Sequence, residues 1–170
     1  MSAAKHARIS RYVDGLIQPE DRILATHKGV QWVTDRFVMV RADMFRRPVT
    51  ARWAQGDPPK VGEAKMRKVL GDIPRDGKYA RRMPYRFITT GSGTLRPICS
   101  SWSSPSATLY NTQIDPLLDA CDHLRVFDGG RRIAGFQKRP RSAKPVLVCV
   151  VMGVHWGAVD EDSKLVGGAS

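Results

Sequence analysis

Residues 29–41 read Gly29-Val30-Gln31-Trp32-Val33-Thr34-Asp35-Arg36-Phe37-Val38-Met39-Val40-Arg41. Two apolar, β-branched and aromatic runs flank the polar triplet Thr34-Asp35-Arg36, a pattern that predicts two antiparallel strands joined by a short turn. Thr and Asp suit the turn because their side chains hydrogen-bond nearby backbone where the ladder is broken. No glycine pattern that cradles phosphate accompanies the hairpin.

Upstream, Ile23-Leu24-Ala25 predicts a further strand, which reaches the hairpin through a turn at His27-Lys28-Gly29. Before it, Ile9, Tyr12, Val13, Leu16 and Ile17 recur at helical spacing over residues 3–17, with Lys5, Arg8 and Arg11 on the outer flank and Pro19 ending the helix. Downstream, a strand is expected around residues 49–53, and Asp57-Pro58-Pro59 breaks the chain. Met66, Val69, Leu70 and Ile73 then mark a second amphipathic helix over residues 61–73, with Lys65, Arg67 and Lys68 between them.

Residues 74–86 are the most basic stretch: Arg75, Lys78, Arg81, Arg82 and Arg86 stand among Pro74, Gly77 and Pro84, with Tyr79 and Tyr85 interleaved. They read as an exposed loop, either contacting phosphates while its rings stack on bases or serving as a solvated linker. A short strand at residues 87–90 and Ser-, Gly- and Pro-rich loop over 91–106 extend this into a basic loop insertion at 74–106. In the last third, Asp115 as N-cap and Pro116 at the first helical position predict a short helix ending near His123. Residues 124–127 and 132–136 flank the turn Asp128-Gly129-Gly130, the strongest hairpin signal in the sequence. A basic, turn-rich link at 138–144 leads to a buried strand at 146–151. The expected organisation is one α+β domain over residues 1–159, with antiparallel sheets and two or three amphipathic helices, and a flexible tail at 160–170.

The 170 residues suffice for one domain with a sizeable core. With 28 Lys and Arg against 16 Asp and Glu, the net charge is +12 and the pI near 10.2, so an acidic partner is expected. The longest apolar run, residues 146–154, is too short to span a bilayer, and no signal peptide is read at the N-terminus. Three widely spaced cysteines, Cys99, Cys121 and Cys149, fit reduced thiols and a cytoplasmic location.

Chemistry-bearing patterns are sparse. The histidines are scattered, CxxC and HExxH are missing, and no GxSxG marks an activated serine among residues 100–106, so no metal, no cofactor and no catalytic residue is expected. A metal-dependent nuclease would draw on Asp35, Asp43 and Glu63, whose spacing is not diagnostic. The basic helices and loop carry more content. Lys5, Arg8, Arg11, Lys65, Arg67 and Lys68 on helices, with Arg75, Lys78, Arg81 and Arg82 from the loop, would together offer a positive face to duplex DNA.

Two regions resemble the bacterial DNA polymerase sliding clamp family. Residues 29–40 are similar to the clamp segment in which a strand ends in Thr-Asp, turns and returns with apolar residues; Arg36-Phe37 stands where the family has Gly-His-Arg. Ile114-Asp115-Pro116-Leu117-Leu118-Asp119-Ala120-Cys121 resembles the helix opening the closing half of a clamp domain. The following hairpin, Lys144-Pro145-Val146-Leu147-Val148 and Val150-Val151-Met152 resemble the subunit's end, with Gly153 in place of the family's Pro. The resemblance implies helices lining a basic inner face with antiparallel sheets outside, holding DNA without cutting it. A chain this short would act as a homo-oligomer or as a reduced, phage-type relative that binds duplex DNA or replication proteins. Asp115, Asp119 and Asp122 make the third helix acidic, which departs from a uniformly positive lining. The alternatives are an interaction protein occupying a host replication or transcription factor and, third, a small nuclease.

Overall fold

The computed structural model describes residues 3–49, 60–73, 78–82, 87–90, 93–99, 108–154 and 164–166. Among them are three α-helices, α1 (Ala3–Leu16), α2 (Lys60–Gly71) and α3 (Asp115–Asp119). The strands are β1 (Ile23–His27), β2 (Val30–Thr34), β3 (Val38–Arg41), β4 (Lys78–Arg82), β5 (Phe87–Thr90), β6 (Gly93–Cys99), β7 (Thr108–Asn111), β8 (His123–Phe127), β9 (Arg132–Gln137), β10 (Val146–Met152) and β11 (Lys164–Val166). They pair antiparallel in the order β1-β2-β3-β10-β9-β8-β4-β6-β5-β11, with β7 beside β6, so the chain is an α+β protein built on antiparallel sheet.

The predicted hairpin is β2 and β3, in the register Trp32↔Arg41, Val33↔Val40 and Thr34↔Met39. Its turn is fixed by the two side chains that the sequence singled out. Asp35 Oδ1 accepts from the backbone N–H of Phe37 (2.9 Å) and Val38 (2.8 Å), and Thr34 Oγ1 accepts from Arg36 N while donating to Val38 O at 2.6 Å. Upstream, Lys28 and Gly29 both have positive φ, as a two-residue type I′ hairpin turn between β1 and β2 requires.

Alternation along this hairpin divides the interior. Val33, Val38 and Val40 join one cluster with Ile9, Val13 and Ile17 of α1 and Leu117 and Leu118 of α3. Trp32 and Met39 point the other way and join Ile23, Ala25, Met66 and Leu70, so α2 covers the opposite face. Both predicted basic amphipathic helices are present, on the two sides of one sheet. The C-terminal end of α1 is closed by Arg22, whose Nε donates to Ile17 O (3.0 Å) and Nη2 to Asp14 O (3.2 Å) while the guanidinium lies over the Phe45 ring.

α1 is tied to the segment before α3 by the Tyr12 hydroxyl, which donates to Gln113 O. Burial, and then the negative charge of Asp115, push the Tyr12 pKa up to about 12. An unfolded tyrosine ionises near pH 10, so the folded chain keeps this proton longer. The associated stability is complete below about pH 10 and is lost as pH rises toward about 12. Tyr12→Phe should flatten that alkaline decline in urea midpoints measured across the same range.

Several expectations are corrected. The strand expected at residues 87–90 forms as β5 (Phe87–Thr90), but the loop expected around it over residues 74–106 also contains β4 and β6. β4 is recruited by its neighbour, with Lys78↔Val126, Tyr79↔Arg125 and Ala80↔Leu124 paired to β8, although its sequence KYARR lacks an apolar alternation. β6 pairs with β7 along one edge, and β5 and β4 share the other at Gly93 to Leu95 and at Ile98 and Cys99. Pro97 falls in the gap between them, so its missing N–H interrupts no ladder on that edge. Residues 164–166 of the expected flexible tail form β11 against β5. α3 ends at Asp119, and Asp115 is its first residue, not its cap. The carboxylate instead accepts from Tyr110 Oη (2.6 Å) and pairs with Arg96. The strand expected at residues 49–53 lies outside the described residues beyond Val49, which is buried in no strand.

The hairpin β8–β9 and the buried strand β10 form as expected. β10 carries a bulge: Leu147 faces Phe136 and Cys149 faces Gly135, leaving Val148 as the extra residue. Val148 and Cys149 therefore both enter the α1–α3 side of the core.

Candidate nucleic-acid interface

Burial of Ile9, Val13 and Ile17 turns Lys5, Arg8 and Arg11 outward on α1. Beside its first turns lies the connection from β9 to β10, residues 138–145, where Lys138, Arg141 and Lys144 are exposed. A cleft of about 440 Å³ separates the two, lined among others by Lys5, His6, Asp43, Asp122, Lys138 and Arg139.

The acidic groups in this cleft are engaged in holding its walls. Asp43 takes a two-pronged hydrogen bond from Arg139, Nη1 to Oδ2 at 2.6 Å and Nη2 to Oδ1 at 3.2 Å, and a further one from Arg41 Nε at 3.0 Å. Burial alone would raise its pKa. The hydrogen bond and charge of Arg139, followed by those of Arg41, outweigh burial and hold the carboxyl below its usual range. Asp122 Oδ2 accepts from Lys138 N at 2.7 Å, and buried Gln137 donates through Nε2 to Ala120 O at 2.9 Å. Ser142 N donates to Arg139 O and Ser142 Oγ to Lys144 O, which closes the turn. The result is a braced wall that presents cations beside the basic flank of α1.

The residues singled out from sequence are therefore divided. Of the α1 set, Lys5 lines the cleft, while Arg8 and Arg11 are exposed further along the helix. Lys65, Arg67 and Lys68 are exposed on α2, across the sheet, so the two helical sets do not form one continuous face. Lys78, Arg81 and Arg82 belong to β4, whose backbone runs between β8 and β6. Arg75 lies outside the described residues. Lys138 and Arg139 were legible only as part of a basic link; what sequence does not show is that antiparallel pairing brings the link to the start of α1.

Asp35 of the imagined acidic trio is occupied in its turn, and Asp43 is occupied by two arginines. Among the described residues no three His, Cys, Asp or Glu side chains stand together as metal ligands. No helix of the described residues is long and apolar enough to cross a membrane.

Comparison with known protein families, with curated proteins and with solved structures gives no match. The sliding-clamp resemblance thus has no structural neighbour beside it, and helices on opposite faces of the sheet differ from the single helix-lined basic face that it implies.

Proposed function

We infer that this chain is a non-enzymatic DNA-binding protein of the replication-accessory kind, contacting duplex phosphates through the basic flank of α1 and the β9–β10 turn. The observation that carries this reading is the meeting of Lys5 and His6 with Lys138 and Arg139 around one cleft whose carboxylates are already engaged. A net charge of +12 adds a long-range attraction to any polyanion. The α2 cations, on the far face, stand outside this contact.

A second reading, an interaction protein that occupies a replication or transcription factor, draws on one feature of its own. Phe37 is 70% exposed and Met152 49%, and Met152 N donates to Phe37 O at 2.9 Å, so the two large apolar side chains that are exposed among the described residues are neighbours. A partner that co-purifies from nuclease-treated lysate and is lost on Phe37→Ser would favour it.

Retention on closed-circular and linearised duplex DNA across a salt series tests the first reading. An open electrostatic face predicts equal retention on both, falling steeply with salt. Retention on circles that survives high salt and vanishes on linearisation would replace it with encirclement by several copies, as the clamp resemblance implies.

A further inference from the structure

Cys121, in the turn after α3, and Cys149, on β10, are both unbridged, with their sulfurs 3.8 Å apart. They are distant in sequence and are brought together by Gly135 of β9, which pairs with Cys149 in the sheet. A Cβ at position 135 would come within 2.6 Å of Cys149 Sγ and closer still to Cys121 Sγ, so the missing side chain is the space in which the thiols meet. Cys149 is fully buried, whereas Cys121 is only half-buried. Cys121 is thus the member of the pair that has exposed surface.

We propose that Cys121 and Cys149 are an oxidative modification site: a thiol pair that a hydroperoxide converts to a disulfide, weakening duplex binding at the neighbouring cleft. The Cys121 thiolate attacks one peroxide oxygen; the O–O bond breaks, and Cys121 becomes a sulfenic acid as water leaves. Cys149 sulfur then attacks Cys121 Sγ, the S–S bond forms, the S–O bond breaks and a second water leaves with the Cys149 proton. Two thiols and one hydrogen peroxide give one disulfide and two waters, with the peroxide as the species reduced.

The consequence for the cleft follows from where Cys121 sits. Its neighbours Ala120 and Asp122 both line the cleft, Ala120 O holding Gln137 and Asp122 holding Lys138 N. A disulfide needs sulfurs about 2.0 Å apart, so from 3.8 Å the two must together close by well over 1 Å, roughly the length of a bond. β10 is the buried partner, so residues 120–122 are the part that shifts, and with them the bonds of Ala120 O with Gln137 and of Asp122 with Lys138 N that hold the cleft wall. This step rests on the duplex-binding reading; formation of the disulfide does not.

The experiment treats the full chain carrying Cys99→Ser with graded hydrogen peroxide and records intact mass, peptide map and duplex affinity. The expected result is a loss of about 2 Da, a linked Cys121–Cys149 peptide, at least threefold weaker duplex binding, and recovery of both on reduction. In the Cys149→Ala variant Cys121 should stop at a sulfenic acid that dimedone traps. Oxidation of Cys121 to sulfinic acid with Cys149 still alkylatable, or no oxidation at all, would overturn the pair. A disulfide with unchanged affinity would overturn the link to the cleft. Failure of the reduced protein to bind duplex would sink the duplex reading and the link to it, and leave the mass data to decide the thiol pair.

Discussion

Gly135→Ala is expected to destabilise the chain by about 2–3 kcal/mol, the upper part of the range for overpacking a filled core. The added methyl has nowhere to go: it meets two sulfurs, one on buried Cys149 of the bulged strand β10 and one on Cys121, itself hydrogen-bonded to Leu117 O at 3.5 Å. Each sulfur could leave only by rotating about χ1 into another staggered well, and around Cys149 that space is already filled core. Shifting the backbone instead would disturb the register on both sides of β9, with β8 and with β10. Urea unfolding should show a lower midpoint with an unchanged slope. Cys121→Ala and Cys149→Ala made together with Gly135→Ala should restore most of the loss, because they remove both obstacles. A Gly135→Ala variant as stable as wild type would show that the sulfurs do not occupy this gap.

Asp115→Ala is the second change with a large expected effect, about 3 kcal/mol. Its carboxylate is the acceptor for Tyr110 Oη at 2.6 Å, on a tyrosine with no exposed surface, and pairs with Arg96 at 3.3 Å. Removing the acceptor strips a buried hydroxyl and a largely buried guanidinium of a shared charged partner, which costs more than the hydrogen bonds themselves contribute. Tyr110→Phe, which removes donor and demand together, should cost only about 1 kcal/mol. Asp115→Ser discriminates between the two roles open to this residue. A helix cap would tolerate serine well, since its hydroxyl can serve the same backbone N–H. The observed role requires reach and charge, so Asp115→Ser should be nearly as damaging as Asp115→Ala in the same urea titration.

The local elements were legible where side-chain period and turn chemistry agreed. The Thr34-Asp35-Arg36 turn, the Asp128-Gly129-Gly130 hairpin and the spacing of Ile9, Val13 and Ile17 each encode their element within a few residues. β4 was illegible because its strand character comes from pairing with β8 and not from its own charged residues. Asp115 misled for a related reason: Asp before Pro is a good helix start, but Tyr110 and Arg96, brought by β6 and β7, claim the carboxylate. The same limit applies to the candidate interface. Helical spacing correctly turned Lys5 and Arg8 on α1, and Lys65 and Lys68 on α2, outward. It could not tell that the sheet separates the two sets, or that Lys138 and Arg139 would stand beside the first of them.

The most direct test of the interface is the slope of log affinity for duplex DNA against log salt, in wild type and in two triple variants of equal charge change. One is Lys5→Ala/Arg8→Ala/Lys138→Ala, and the other is Lys65→Ala/Arg67→Ala/Lys68→Ala. Each phosphate contact contributes about 0.9 to the slope, so the first variant should lose roughly 2–3 units while the second keeps the wild-type value. Equal slopes in all three proteins, or a loss confined to the α2 variant, would contradict a duplex site between α1 and the β9–β10 turn.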